Sequence, residues 1–237
     1  MSSSVSEEFD ALADVFDALP IGAREAADLF LTRMPDTRQR ALDIGCGTGR
    51  TVAALSPWFE EVYGVDVSSK MLEKARQRCE CLQQSNARFS LMDGTRLAFD
   101  QEQFDYVVSH TTFHHVDHLQ TAFMEARRVV RPAGRLVIVD ILREGATARW
   151  PTFAARVLAA AMFGRDLFRV GAARALSSYA SATDQRWLAH QARERFLARQ
   201  DIVRTCAEVL PNASVHATWK ELGLTRYVQI EWDKPEV

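Results

Sequence analysis

The chain has 237 residues, 47% hydrophobic and 25% charged, with 29 Lys+Arg against 31 Asp+Glu and a net charge of −2. This balance fits one globular domain or a domain with a small appendage, and it supplies no basic field to recruit nucleic acid. No apolar run approaches the ~18 residues of a membrane span, and the start Met1-Ser-Ser-Ser-Val-Ser-Glu-Glu lacks the basic-then-apolar pattern of a signal peptide, so a cytoplasmic protein is expected. Four cysteines, Cys46, Cys79, Cys81 and Cys206, have no zinc spacing and read as reduced thiols.

In chain order, the first informative segment is Leu42-Asp-Ile-Gly-Cys-Gly-Thr-Gly-Arg50. An apolar run enters it, three glycines alternate with small residues, and a helix-compatible stretch follows. Backbone this bare can turn sharply against a ligand, and the start of a helix offers unpaired N–H groups. The segment therefore reads as a nucleotide-type turn at the carboxyl end of a first parallel strand. Its spacing is G-x-G-x-G, with Arg50 where a dinucleotide site would continue toward a third glycine. Asp43 stands two places before Gly45, where a carboxylate would repel a pyrophosphate and welcome a cationic cofactor without phosphate.

Strands and helices then alternate. Residues 61–66 predict a strand ending in Asp66. Residues 68–85 predict a helix capped by Ser68, with Met71, Leu72, Ala75, Cys79 and Leu82 at helical spacing. Residues 87–92 and 104–109 predict two more strands. A helix over 119–130 stops before Pro132-Ala-Gly134, and residues 135–139 form a buried strand. Such alternation argues for a parallel sheet covered by helices on both faces. Residues 143–205 read as helices rich in Ala, Arg and aromatics, including Trp150, Phe153, Met162, Phe163, Phe168, Tyr179, Trp187 and Phe196. They are either a self-packed layer or a lid that shapes a substrate pocket. Residues 213–219 and 225–232 alternate about Leu222-Gly223, a hairpin signal.

Asp66 lies 21 residues after Gly45, where a carboxylate at a strand end can take both ribose hydroxyls; the alternative is a solvated loop acid. Val67 follows and would lie against an adenine face. Asp93-Gly94 can accept from an adenine amino group and admit close backbone approach, or it is an ordinary Asp-Gly turn.

On these residues the chain resembles the class I S-adenosylmethionine (SAM) methyltransferases. Asp43-Ile-Gly-Cys-Gly-Thr-Gly49 looks like their first motif, Tyr63-Gly-Val-Asp-Val-Ser-Ser-Lys-Met-Leu72 their second, and Leu91-Met-Asp-Gly94 their adenine motif. Phe104-Asp-Tyr-Val-Val-Ser-His-Thr-Thr-Phe-His-His-Val116 and Arg127-Arg-Val-Val-Arg-Pro-Ala-Gly-Arg-Leu-Val137 continue the match. Phe9-Asp-Ala-Leu-Ala-Asp-Val-Phe-Asp17 is similar to the entry helix of the ubiquinone/menaquinone-biosynthesis-like, small-molecule branch.

The resemblance implies a Rossmann-like, doubly wound α/β fold with a seven-stranded sheet in the order 3-2-1-4-5-7-6, strand 7 antiparallel, and a helical lid insertion. It implies one domain over 1–237: an N-terminal helical cap (1–40), a SAM-binding core (41–142), a helical substrate lid (143–205) and a closing hairpin (206–237). Asp43, Gly45, Cys46, Gly47 and Gly49 would face the methionine end of SAM. Asp66, Val67 and Met71 would flank the ribose and adenine. Asp93 and Gly94 would meet the adenine, and Ser109 would offer its backbone near the sulfonium. S-adenosylhomocysteine would be the product.

Four of six histidines, His110, His114, His115 and His118, crowd one loop. His114 and His115 are the candidates for a general base toward a hydroxyl acceptor. A structural role beside the cofactor and a metal site are the alternatives. No metal is expected, because the cluster lies on one short loop and the fifth strand ends Val139-Asp-Ile-Leu142, without an Asp-Asn pair. Ser109-His-Thr-Thr112 lacks the Asn/Asp-Pro-Pro-Tyr/Phe signature of amino-methylating enzymes, and the arginines from Arg186 to Arg204 read as a solvated helix face. The expected activity is SAM-dependent methylation, at oxygen, of a small apolar molecule, with no nucleic-acid partner; a homodimer is compatible with the chain. The rivals are an RNA or protein methyltransferase, a SAM-binding protein doing non-methylating chemistry, and, further off, an NAD oxidoreductase.

Overall fold

A computed structural model describes residues 3–19, 23–144, 151–169, 171–220 and 225–236. Trp150 and the Leu222-Gly223 turn lie outside these residues. Two helices, α1 (Ser3–Ala18) and α2 (Ala23–Leu31), lead into β1 (Arg40–Ile44). Then come α3 (Arg50–Leu55), β2 (Glu61–Asp66), α4 (Ser69–Cys81), β3 (Ala87–Leu91), β4 (Phe104–His110), α5 (Leu119–Val129) and β5 (Val130–Ile141). Four further helices, α6 (Pro151–Arg169), α7 (Ala172–Ala182), α8 (Gln185–Arg193) and α9 (Arg199–Val209), precede β6 (Ser214–Lys220) and β7 (Thr225–Asp233).

The seven strands form one sheet in the order β3-β2-β1-β4-β5-β7-β6. The first five are parallel, and β7 runs antiparallel between β5 and β6. The period-2 side chains of the central strands feed two cores. Leu42, Ile44, Val107, Leu136 and Ile138 join α5 and α9 on one face. Ala41, Tyr106, Val108, Val137 and Val139 join Phe30, Val52, Leu55 and Leu72 on the other. Burial on both faces explains why these strands read as nearly continuous apolar runs.

The sequence-based bounds shift in three places. The helix expected over 68–85 is α4, which stops at Cys81, because Gln83 turns to φ 57. Its start is as expected: Ser68 Oγ accepts from the Met71 N–H at 3.1 Å. The strand expected over 135–139 begins at Val130 and absorbs the Pro132-Ala133 kink through a register shift against β4, with Ala133 at φ 59. The helical run expected over 143–205 breaks after Arg193. A short extended piece bridges Leu197 to Leu142, and α9 then crosses residue 205 to pack Ile202, Cys206 and Val209 into the sheet core. Helices α6–α8 instead share a separate small core with α1, formed by Val15, Leu19, Ala159, Ala182 and Trp187. This helical layer closes over the carboxyl ends of the strands.

Candidate active site

A cavity of about 230 Å³ opens at those strand ends, between the sheet, α1 and α8. At its inner end the loop after β1 turns through Gly45 (φ 73), Gly47 (φ 50) and Gly49 (φ 77) into α3. The Gly45 and Cys46 N–H groups both donate to Val65 O, at 2.8 and 3.0 Å, which ties the loop to β2. Each glycine has its own reason. A Cβ at Gly45 would lie 2.2 Å from the Thr112 side chain, and one at Gly49 would lie 2.7 Å from Ala75 Cβ on α4. A Cβ at Gly47 would meet nothing within 4 Å, so the bare backbone there faces open space.

Two carboxylates face that space. Asp66 Oδ2 accepts from Gly47 N and Oδ1 from Ser68 N, both at 2.9 Å. Burial still raises its pKa above the usual carboxylate range, against those N–H groups. Asp43 is 1% exposed, and its Oδ1 has no hydrogen-bond partner. Burial, with the nearby Asp66 charge, pushes it up to about 8. A buried carboxylate oxygen without a partner fits a ligand that brings its own cation, as the ammonium of SAM would. Burial likewise holds the Cys46 thiol neutral.

Helix α1 covers this end. Ser6 Oγ donates to Val67 O at 2.8 Å, and Asp10 accepts from Ser68 Oγ at 2.5 Å and from Lys70 N at 3.1 Å. The Arg50 guanidinium donates to Phe16 O and Asp17 O at 3.1 and 2.7 Å, and Arg78 pairs with Asp17 while reaching Thr48 O. Phe9, Phe16 and Leu19 of α1 and its exit thereby become cavity wall.

At the outer end a single helical turn, Phe113–His115, presents two imidazoles. Asp140, at the end of β5, fixes that turn: its carboxylate accepts from the backbone of Phe113 (2.8 Å), His114 (3.2 Å) and Ile141 (2.7 Å), and meets His114 Nδ1 at 2.5 Å. Across the gap stands Glu194, just past α8. Its Oε1 lies 3.6 Å from His114 Nε2, 3.9 Å from His115 Nε2 and 3.0 Å from His190 Nε2. His190 Nδ1 in turn faces Glu8 of α1 at 3.2 Å. Burial opposes charge on His114, yet Asp140 and Glu194 outweigh it and raise its pKa to about 10. Burial and the charge on His114 hold His115 neutral, and the imidazoles of His114 and His190 hold Glu194 ionised against burial.

Of the residues singled out from sequence, Asp43, Gly45, Cys46, Gly47, Asp66, Val67, Met71, Gly94, His114 and His115 line this one cavity. Three do not. Gly49 faces α4. The Asp93 carboxylate accepts from Thr95 N and Oγ1 at 2.8 Å, the turn arrangement. Ser109 Oγ donates to Ile44 O at 2.8 Å beneath the site, while His110 and Thr111, one step further on, reach the wall. Sequence reasoning missed Asp140, His190 and Glu194, which lie 25 to 80 residues from the histidine turn. It also used Arg50 only as a missing glycine, whereas this arginine anchors α1.

Residues 42–138 match the family model described as a methyltransferase domain. Among curated relatives, a malonyl-[acyl-carrier protein] O-methyltransferase of Halorhodospira halophila is 32% identical over 138 residues, 56% of this chain and 46% of that protein. A demethylmenaquinone methyltransferase of Tropheryma whipplei is 33% identical over 102 residues, 43% of this chain and 41% of that one. The chain thus spans under half the length of these relatives. The crystal structure of the [4+2]-cyclase SpnF aligns with TM-score 0.63 at 17% identity, covering 98% of this chain and 96% of that one. Among the described residues, no helix is long and apolar enough to cross a membrane.

Proposed function

We propose, on the premise that residues 42–138 are a class I SAM-dependent methyltransferase domain, that the chain transfers the methyl group of SAM to an oxygen of a small, largely apolar molecule. One observation carries the cofactor half: the buried, unpartnered Asp43 Oδ1 beside the open face of Gly47. An ammonium there satisfies the carboxylate with a charge-assisted hydrogen bond. Asp66 holds the ribose hydroxyls at the next strand end, with Val67, Met71 and Gly94 about the adenine. The acids suit a cofactor whose reactive sulfur is cationic.

Methyl transfer moves positive charge off sulfur and needs little covalent help, so the chain contributes alignment and a dry site. Helix α1 supplies both when it closes over the cofactor end. The acceptor enters the outer end, where Phe9, Trp187 and Phe196 offer apolar wall and His114 and His115 meet its nucleophilic atom. Oxygen as that atom is supported by the neutral imidazole of His115, which can take a hydroxyl proton, and by the O-methyltransferase among the relatives. The choice of acceptor belongs to α8 and the residues after it.

The test is incubation of the full chain with isotopically labelled SAM and a panel of phenols, quinols and carboxylic acids, reading S-adenosylhomocysteine and methylated product by mass spectrometry. Formation of both supports the proposal. Tight SAM binding without S-adenosylhomocysteine from any acceptor class, RNA and protein included, would support a non-methylating use of the cofactor. The SpnF likeness shows the fold alone, and SpnF is a [4+2]-cyclase, so this fold serves other reactions as well.

A further inference from the structure

We infer that His114, His115 and Glu194 bind one first-row divalent transition-metal ion at the acceptor end of the cavity. The geometry stands by itself; the role given to the ion below rests on the proposed methyl transfer. The ligand atoms of His114, His115 and Glu194 lie within 4.8 Å of one another; His190 Nε2, 3.0 Å from the same carboxylate oxygen, stands outside this group and braces Glu194. An ion bonded at about 2.0–2.1 Å wants its ligand atoms roughly 3.0–3.5 Å apart. The separations of 3.6 and 3.9 Å from Glu194 Oε1 to the two imidazoles need only small side-chain shifts to meet that.

A hydrogen-bonded cluster explains the same atoms poorly. His114 Nε2 is buried without a hydrogen-bond partner, its nearest approach to Glu194 Oε1 being 3.6 Å. Asp140, by contrast, takes three backbone N–H groups. The group behind His114 points the same way. His114 Nδ1 is backed by Asp140 at 2.5 Å, which turns its Nε2 toward Glu194. A carboxylate on the far nitrogen is the usual companion of a metal-ligating histidine. Two imidazoles, His114 giving its Nε2 proton to solvent on binding, and one carboxylate favour zinc, cobalt or iron(II) over magnesium or calcium.

His114, His115 and Glu194 also line the cavity, so the ion has a side open to the acceptor. With the ion bound, the ion rather than an imidazole activates an acceptor hydroxyl, whose proton goes to solvent. The oxygen then forms its bond to the methyl carbon as the carbon–sulfur bond breaks, and the sulfonium leaves as a neutral thioether. No electron is gained or lost by the ion.

The experiment titrates Co²⁺, then Zn²⁺, into chelator-treated full chain and reads visible d–d absorption and metal content, with Mg²⁺ as control. SAM calorimetry runs on the same samples. One equivalent of Co²⁺, displaced by Zn²⁺ and not by Mg²⁺, is expected. Glu194→Gln and His115→Asn, checked for fold by circular dichroism, should each weaken Co²⁺ binding at least tenfold. His190→Asn, which removes only the brace on Glu194, should weaken it less. No Co²⁺ or Zn²⁺ bound by the wild type, or undiminished binding by both ligand variants, overturns the inference. SAM binding without the ion would leave the methyltransferase proposal standing, and the ion without SAM would sink that proposal alone.

Discussion

Asp43→Asn should make the free protein more stable and the SAM complex weaker. The carboxyl is 1% exposed, and burial with the Asp66 charge raises its pKa to about 8. An acid that binds its proton more tightly folded than unfolded contributes stability below its unfolded pKa of about 3.9 and loses it as pH rises toward 8. At ~1.36 kcal/mol per unit the full shift would reach about 5 kcal/mol by pH 8, an upper limit once local relaxation and water entry are allowed for. The neutral, isosteric Asn carries no such cost, so the variant should melt above the wild type by a margin that grows from about pH 5 to about pH 8.

Binding should go the other way. The ammonium–carboxylate bond contributes about 1.5–3 kcal/mol, which is roughly 10- to 150-fold in Kd. Wild-type affinity should fall about tenfold per unit below pH 8, because binding must first remove the proton, whereas the variant should show no such slope. Calorimetric titration and thermal melts across this range test both halves. Equal SAM affinity of the two proteins near pH 8.5, or melting curves that differ by the same amount at every pH, would refute the assignment of Asp43.

Gly45→Ala meets the Thr112 side chain at 2.2 Å from a backbone at φ 73, so a loss of about 2 kcal/mol is expected. That corresponds to a fall of roughly 4–8 °C in Tm, and an unchanged melting curve would contradict it. Arg50→Ala removes two charge-assisted hydrogen bonds to the end of α1 and should speed SAM dissociation about tenfold in stopped flow; an unchanged off-rate would mean α1 does not retain the cofactor. Phe196→Ala removes the ring stacked on His114 at 5.7 Å. It should reorder preference among acceptors while leaving SAM affinity within about twofold, a split that KM series against calorimetry would expose.

The parts of the molecule legible from sequence are those whose chemistry is contiguous. Leu42–Arg50 carries a strand end, a left-handed glycine turn and a helix start within nine residues, and Asp66 follows one strand later. The alternation of strand and helix patterns after residue 41 revealed a sheet covered on both faces. The histidine turn was visible, but not its environment, because Asp140 reads as one more strand-end acid and Glu194 as one more charge on an arginine-rich helix. Only folding brings the acid after α8 to 3.6 Å from His114 Nε2. Asp93 failed to separate its two readings for a related reason: Asp-Gly before Thr95 is the same string whether the carboxylate turns inward or caps its own turn. Arg50 was informative only by exclusion, since nothing local says that its guanidinium crosses to α1.

The central claim, a cavity built for a cationic nucleoside cofactor without phosphate, is tested most directly by equilibrium titration of the full chain with SAM, S-adenosylhomocysteine and NAD in parallel. SAM and S-adenosylhomocysteine should each bind at one site per chain, with NAD showing no saturable heat. Saturable binding of NAD with none of SAM would contradict the account.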